Sequence, residues 1–347
     1  MKNVFYFKNV NSCGGVESWI YYLSKLYNNF IFYYKEADPV QIERLCKNIE
    51  VRKYNGEDIE CDNFFCNYNP DIIGNVKAKN YINMIHSDYK QLLISPNTDA
   101  IFNKNIAVSK LACNSFKEIT GKQCEVIYNP VVIDKPKVSK YNDGKLHLIS
   151  ATRLTKEKGL ARMQKLAQIL EKNNIDYEWI VYTNRKRLPI GNNVIYEDTK
   201  LDISEEVAKA DYLVQLSDCE AFCYSVVESL IVGTPVICTD LPVFKELEIK
   251  HGKNAIVCNM EMSNVDIELI KNGIPNFQYE PPKSEWNKYL DNNGSYNPKD
   301  KVKVRTIKRY YDIELEKSLM RGEELEMSKE RVSILECKGM VERIWKY

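Results

Sequence analysis

Short apolar runs bounded by polar, glycine- or proline-containing stretches recur along the chain. Between many of them the apolar positions fall three and four residues apart. The runs Val4–Phe7, Phe30–Tyr34, Glu50–Tyr54, Asn63–Tyr68, Tyr81–His86, Asn105–Ser109 and Cys124–Pro130 predict strands in the first part of the chain. Leu146–Ala151, Tyr177–Tyr182, Asn193–Glu197, Asp211–Leu216, Val236–Cys238 and Ala255–Cys258 predict strands in the second. Helical spacing falls between them: from about Val16 to Leu26, from the N-cap Ser109 to about Ile119 with a stop at Gly121, up to Lys172, over Ile203–Lys209, and from about Cys223 to Val232 before Gly233. A short helix opens at Leu241-Pro242, and Glu285–Leu290 is a helix candidate after a double proline. Strand–helix–strand repetition of this kind predicts parallel sheets in an α/β fold.

The stretch from Val131 to Lys145 is rich in Lys, Pro, Asp and Gly and reads as a linker. It divides the chain into an expected first domain at 1–135 and a second at 145–280. A connecting segment, 281–299, follows. The tail at 300–347 has another character: Val302, Val304 and Ile307 suggest a strand, Gly322 a turn, Ser328 the cap of a helix to about Lys338, and Val341–Trp345 a closing strand. It reads as a small appended β-rich module.

Composition narrows the classes. Charged residues are 28% and hydrophobic ones 44% of 347, ordinary for a globular protein. The 49 basic and 48 acidic residues leave a net charge of +1, so nothing draws the chain to nucleic acid. No apolar run approaches the roughly 18 residues needed to span a bilayer, and Met1 leads straight into a strand, so no transmembrane segment and a cytoplasmic location are expected. Of the eleven cysteines, Cys219 and Cys223 are four apart with no second pair at a metal-like spacing, which suggests buried free thiols.

The candidate chemistry centres on Leu216–Thr239, a strand, turn, helix and strand holding Glu220 in the turn and Glu228 inside the helix. The first helical turn, around Phe222, Cys223, Tyr224 and Ser225, offers free N–H groups to an anion at the sheet edge. A diphosphate docked there puts Glu228 near the ribose hydroxyls and Glu220 on the side of the transferred group. A partly solvated helix with two ordinary charges fits the same residues. Three further sets fall at strand ends: Gly14-Gly15 before the first helix, His86, and the pair Arg153 and Lys158 flanking the turn after Leu146–Ala151. A tight turn, a structural histidine and a solvated basic loop account for each singly.

Together, Gly14-Gly15-Val16-Glu17, the strand ending His86-Ser-Asp88, Arg153-x4-Lys158-Gly159 and Glu220-Ala-Phe-Cys-Tyr-Ser-Val-Val-Glu228-Ser229 resemble, in that order, the motifs of the retaining family-4 glycosyltransferases over residues 1–290. The resemblance implies the GT-B architecture, two doubly wound Rossmann-like domains facing a cleft. It also implies transfer of a sugar from a nucleotide sugar, UDP-linked in most of the family, to a hydroxyl with retention of anomeric configuration. By the same resemblance His86 and Glu220 lie at the reaction centre. Gly14, Gly15, Arg153, Lys158, Phe222 to Ser225 and Glu228 hold the donor. Segment 281–299 becomes a crossing helix returning to the first domain.

Thr183-Asn184 and the Asn193–Glu197 strand stand where the family commonly places glycines that hold the base. No D-x-D motif is present, so no metal or other cofactor is expected, and the acceptor is left open between glycan, lipid-linked sugar, small molecule and protein. A nucleotide-sugar epimerase and a non-catalytic nucleotide-sugar binder remain as alternatives. No G-x-G-x-x-G follows a strand, which disfavours a nicotinamide enzyme.

Overall fold

The computed structural model describes residues 2–67, 70–184 and 186–344. The first lobe contains β1 (Asn3–Val10), α1 (Gly15–Leu26), β2 (Phe30–Ala37), α2 (Pro39–Leu45), β3 (Glu50–Lys53), β4 (Ile59–Asn67), β5 (Val76–Ile85), α3 (Tyr89–Leu92), β6 (Lys104–Ala107), α4 (Lys110–Thr120) and β7 (Glu125–Val126). The second contains β8 (Leu146–Ala151), α5 (Leu160–Lys172), β9 (Tyr177–Tyr182), β10 (Val194–Glu197), α6 (Ser204–Lys209), β11 (Tyr212–Gln215), α7 (Tyr224–Val232), β12 (Val236–Thr239), α8 (Pro242–Glu246), β13 (Ala255–Cys258) and α9 (Ile267–Asn272).

Each lobe is one parallel sheet. The orders are β3-β2-β1-β4-β5-β6-β7 and β10-β9-β8-β11-β12-β13. In both, the order reverses beside the lobe's first strand, between β1 and β4 and between β8 and β11. Such a reversal opens a crevice at the carboxyl ends of the two strands, because their following helices leave to opposite faces. The two crevices face each other, giving the GT-B arrangement.

The strands are buried on both faces and so read as continuous apolar runs. Phe5 of β1 stacks on Phe65 of β4 with centroids 4.3 Å apart, and Trp19 of α1 closes over Phe5. Trp286 inserts beside them, 5.5 Å from Trp19, and is fully buried. The segment after α9 therefore does return to the first lobe, where Tyr289 OH donates to Glu125 and Asn3 Nδ2 donates to the Tyr289 carbonyl. The expected helix over Glu285–Leu290 is only a 3-10 turn, Trp286–Lys288. The six residues Glu285–Leu290 are too few to repay helix nucleation.

The tail folds as β14 (Lys301–Thr306), β15 (Tyr310–Asp312), β16 (Lys317–Leu319), β17 (Glu324–Ser328), α10 (Lys329–Cys337) and β18 (Val341–Arg343), with β14 between β17 and β18. Ser328 caps α10 by accepting from the Arg331 N–H. The ends of two expected strands, Tyr68 and Trp345, lie outside the described residues. The tail is seated on the first lobe rather than set apart from it. Ser333 Oγ donates to the Val51 carbonyl at 2.8 Å, and the Arg343 guanidinium donates to the same carbonyl at 3.0 Å while pairing with buried Glu336.

Candidate functional site

A cavity of about 1500 Å³ separates the lobes, and all eleven candidate residues line it. They lie at the two sheet-order reversals. Gly14 and Gly15 follow β1, and His86 follows β5. Arg153 and Lys158 follow β8, and Glu220 to Ser225 join β11 to α7, which carries Glu228.

The β8–α5 turn is pressed against the β11–α7 turn. Gly159 has φ +80°, and a Cβ there would sit 1.8 Å from the Leu216 carbonyl oxygen, so only glycine fits. Arg162 ties the turns together through the Leu216 carbonyl at 2.8 Å and the Asp218 carboxylate. This approach brings Lys158 Nζ within 2.6 Å of Glu220 Oε1, both side chains being largely buried. The same oxygen accepts from Ser217 Oγ at 2.8 Å and Gln215 Nε2 at 3.2 Å. Burial alone would lower the Lys158 ammonium; the Glu220 charge outweighs it, and the net shift is upward. Lys158 is thus fully charged and engaged with Glu220. Arg153 is half exposed and lies a loose 3.7 Å from Glu157.

Helix α7 begins at Cys223, which holds φ 71°, and no side chain caps this end. Its first-turn N–H groups are available to an anion. Burial first, then Glu220, push the Cys223 thiol up to about 12, so it is no nucleophile at neutral pH. Phe222 packs edge-on against Tyr224, which stacks on Tyr22 of α1. These two aromatic residues bring backbone to the cavity and send their rings into the core. Ser225 Oγ reaches Gln215 at 3.4 Å.

On the facing wall, the Glu17 carboxylate folds back over the glycine loop and accepts from the Asn11 N–H at 2.8 Å. A Cβ on Gly14 would meet this carboxylate at 2.3 Å, so a larger residue there would push the Glu17 side chain aside. His86 Nε2 donates to Asn67 Oδ1 at 2.8 Å, and Trp19 stands edge-on to its ring. Burial lowers the imidazole to about 3, so it is neutral at physiological pH. Glu228 Oε1 accepts from Tyr22 OH at 2.8 Å across the cleft; burial raises this carboxyl, and the Tyr22 bond partly opposes it.

Sequence reasoning passed over Tyr22, Asn67, Gln215 and Ser217, and gave Glu17 no role beyond its place in the glycine motif. Asn67 carried a signal, since it ends the strand paired with the one that delivers His86. The others depend on which turns meet, a fact no local pattern holds. Among the described residues no three His, Cys, Asp or Glu side chains converge as a metal site, and all eleven cysteines are free thiols. No helix among those residues is long and apolar enough to cross a membrane.

Residues 132–274, the linker and most of the second lobe, match the family Glycosyl transferases group 1. The matched stretch contains Arg153, Lys158 and the whole Glu220–Glu228 segment. No curated protein matches the chain. Among solved structures, Anabaena HepE in complex with UDP and glucose is 17% identical with a TM-score of 0.59, over 78% of this chain and 89% of that one. A glycosyltransferase from Rickettsia africae is 14% identical with a TM-score of 0.55, over 74% and 84%. WaaG, a glycosyltransferase involved in lipopolysaccharide biosynthesis, is 13% identical with a TM-score of 0.54, over 78% and 89%. At these identities the likeness is one of fold: the two lobes have GT-B architecture.

Proposed function

We propose that the chain is a retaining glycosyltransferase that moves a sugar from a UDP-linked donor to an acceptor hydroxyl. The observation that carries this reading is the pairing of two opposed crevices with their charges. One wall has Arg153, Lys158 and the uncapped start of α7 lining the cavity together. Glu228 lies farther along the same helix, on the side where a ribose would follow the diphosphate. The UDP and glucose bound by HepE, which shares the fold, favour a uridine donor.

In this reading the bond from the anomeric carbon to the diphosphate oxygen breaks, and its electron pair leaves with UDP. The acceptor oxygen bonds the same face of the carbon, and its proton passes to the departing phosphate. Arg153, Lys158 and the α7 N–H groups stabilise the charge that builds on the diphosphate. Glu220 faces the positive charge developing on the sugar. Its pairing with Lys158 means that an arriving diphosphate shares that ammonium. Neutral His86 offers a hydrogen bond to a sugar hydroxyl and brings no net charge to the reaction centre.

A panel of UDP-, GDP- and ADP-sugars tests this by thermal shift and by slow donor hydrolysis. A UDP-sugar should stabilise the protein and release UDP, with the sugar freed in its original anomeric form by NMR. An epimerised donor in the absence of acceptor would point instead to epimerase activity. No stabilisation by any donor would reject nucleotide-sugar binding.

A further inference from the structure

The bond between Tyr22 and Glu228 joins the lobes inside the cavity. Tyr22 sits on α1, less than three turns beyond the Gly14-Gly15 loop, and its hydroxyl meets Glu228 Oε1 at 2.8 Å. Its ring is held in place by stacking on Tyr224, with centroids 5.5 Å apart and planes at 29°. Among the described residues Glu228 has no other hydrogen-bond donor. A carboxylate accepts about four hydrogen bonds. One is taken by the phenol, which leaves capacity for both hydroxyls of a ribose.

We infer that Tyr22 is a positioning residue for the donor, holding one Glu228 oxygen from across the cleft so that the carboxylate is already oriented for the ribose diol. The inference rests on the nucleotide-sugar reading above, and it makes the first lobe part of the nucleotide site. A single helix, α1, then serves the diphosphate through its leading loop and the ribose through Tyr22. Without the phenol, a partly buried carboxylate loses its donor and its fixed rotamer, and the ligand must supply both.

The groups facing Glu228 are Tyr22 and Arg44 from the first lobe, Tyr224 on its own helix, and Asp202 from the loop before α6. Burial and Asp202 favour the protonated acid; Tyr22 and Arg44 favour the carboxylate. Ribose binding uses the carboxylate and is lost as pH falls through the Glu228 pKa. Removing the Tyr22 hydroxyl raises that pKa, so the acid limb moves to higher pH.

The experiment is calorimetric titration of UDP and of 2′-deoxy-UDP from pH 5 to 8 into wild type, Tyr22→Phe, Glu228→Gln and the double variant. Comparison between variants cancels the titration of the phosphates. Tyr22→Phe keeps the ring and its stack. It should weaken UDP by roughly tenfold, weaken 2′-deoxy-UDP less, and shift the acid limb upward. In the Glu228→Gln background the limb should vanish, and Tyr22→Phe should add little. Wild-type affinity and an unmoved limb in Tyr22→Phe overturn the inference. So does an equal loss for both ligands that persists in the Glu228→Gln background, which would mark Tyr22 as packing only. If wild type binds no nucleoside diphosphate, the proposed function itself falls, and this inference with it.

Discussion

Lys158 and Glu220 form a pair 2.6 Å apart where the β8–α5 and β11–α7 turns meet at the cavity wall. The sequence reading gave these residues separate duties, Lys158 on the diphosphate and Glu220 on the side of the transferred group. Their contact couples the duties, because each neutralises the other until ligand arrives.

Lys158→Ala should therefore cost twice. UDP affinity falls by about 1.5–3 kcal/mol through the lost charge-assisted bond. The melting temperature also falls, because Glu220 is left largely buried without its cation. Arg153→Ala should weaken UDP without the stability loss, since Arg153 is half exposed and its partner is distant. Calorimetry of binding and of unfolding on both variants separates the two. Equal melting points would contradict the asymmetry.

Glu220→Gln should keep UDP affinity at or above wild type, because it frees Lys158 for the phosphates while preserving shape. Turnover should drop by two orders of magnitude or so, the scale of a lost electrostatic contact at a reaction centre. The check is kcat measured beside UDP titrations. A fall in affinity with turnover intact would place Glu220 on the nucleotide instead.

His86 is buried neutral, with a folded pKa of about 3 against roughly 6.5 for an unfolded histidine. The unfolded chain takes up this proton and the folded chain does not. The contribution to stability is thus complete above about pH 6.5 and is lost progressively as pH falls toward 3. Nitrogen NMR of the imidazole should show no titration between pH 5 and 8. A midpoint near 6.5 would mean that the ring is solvated.

Glu246 of α8 accepts from the N–H groups of Lys110 and Leu111, at 2.6 and 3.1 Å, and so caps a helix of the opposite lobe. Glu246→Ala should cost about 1 kcal/mol of stability, the usual value of a cap. Thermal unfolding measures it. No change would show that water replaces the carboxylate freely.

Activity should persist in excess EDTA, since Arg153, Lys158 and the start of α7 provide the positive charge for the leaving group. An absolute requirement for Mn²⁺ or Mg²⁺ would refute this.

The parallel strands were readable because burial on both faces leaves mostly apolar runs: Leu146–Ala151, Tyr177–Tyr182 and Ala255–Cys258 have the bounds expected of them. Strands with alternating ends were cut short. β5 starts at Val76, and Val76-Lys-Ala-Lys-Asn80 alternates between buried and exposed positions ahead of the run that was recognised. β7 is two residues rather than seven, as suits an edge strand. Helix α9 and the β15–β16 hairpin were too short to show a period. At the site, glycines and charges at strand ends announced themselves by spacing. Tyr22 did not, because its role exists only once two lobes close on one another.

β3 is the outermost strand of its sheet, paired with β2 on one side only. On its other side Ser333 and Arg343 occupy the Val51 carbonyl. The tail thereby covers part of that margin. A chain shortened to end before Asp300 would offer a bare strand margin to its own copies, and would be lost to oligomers before any defect in the cleft was felt.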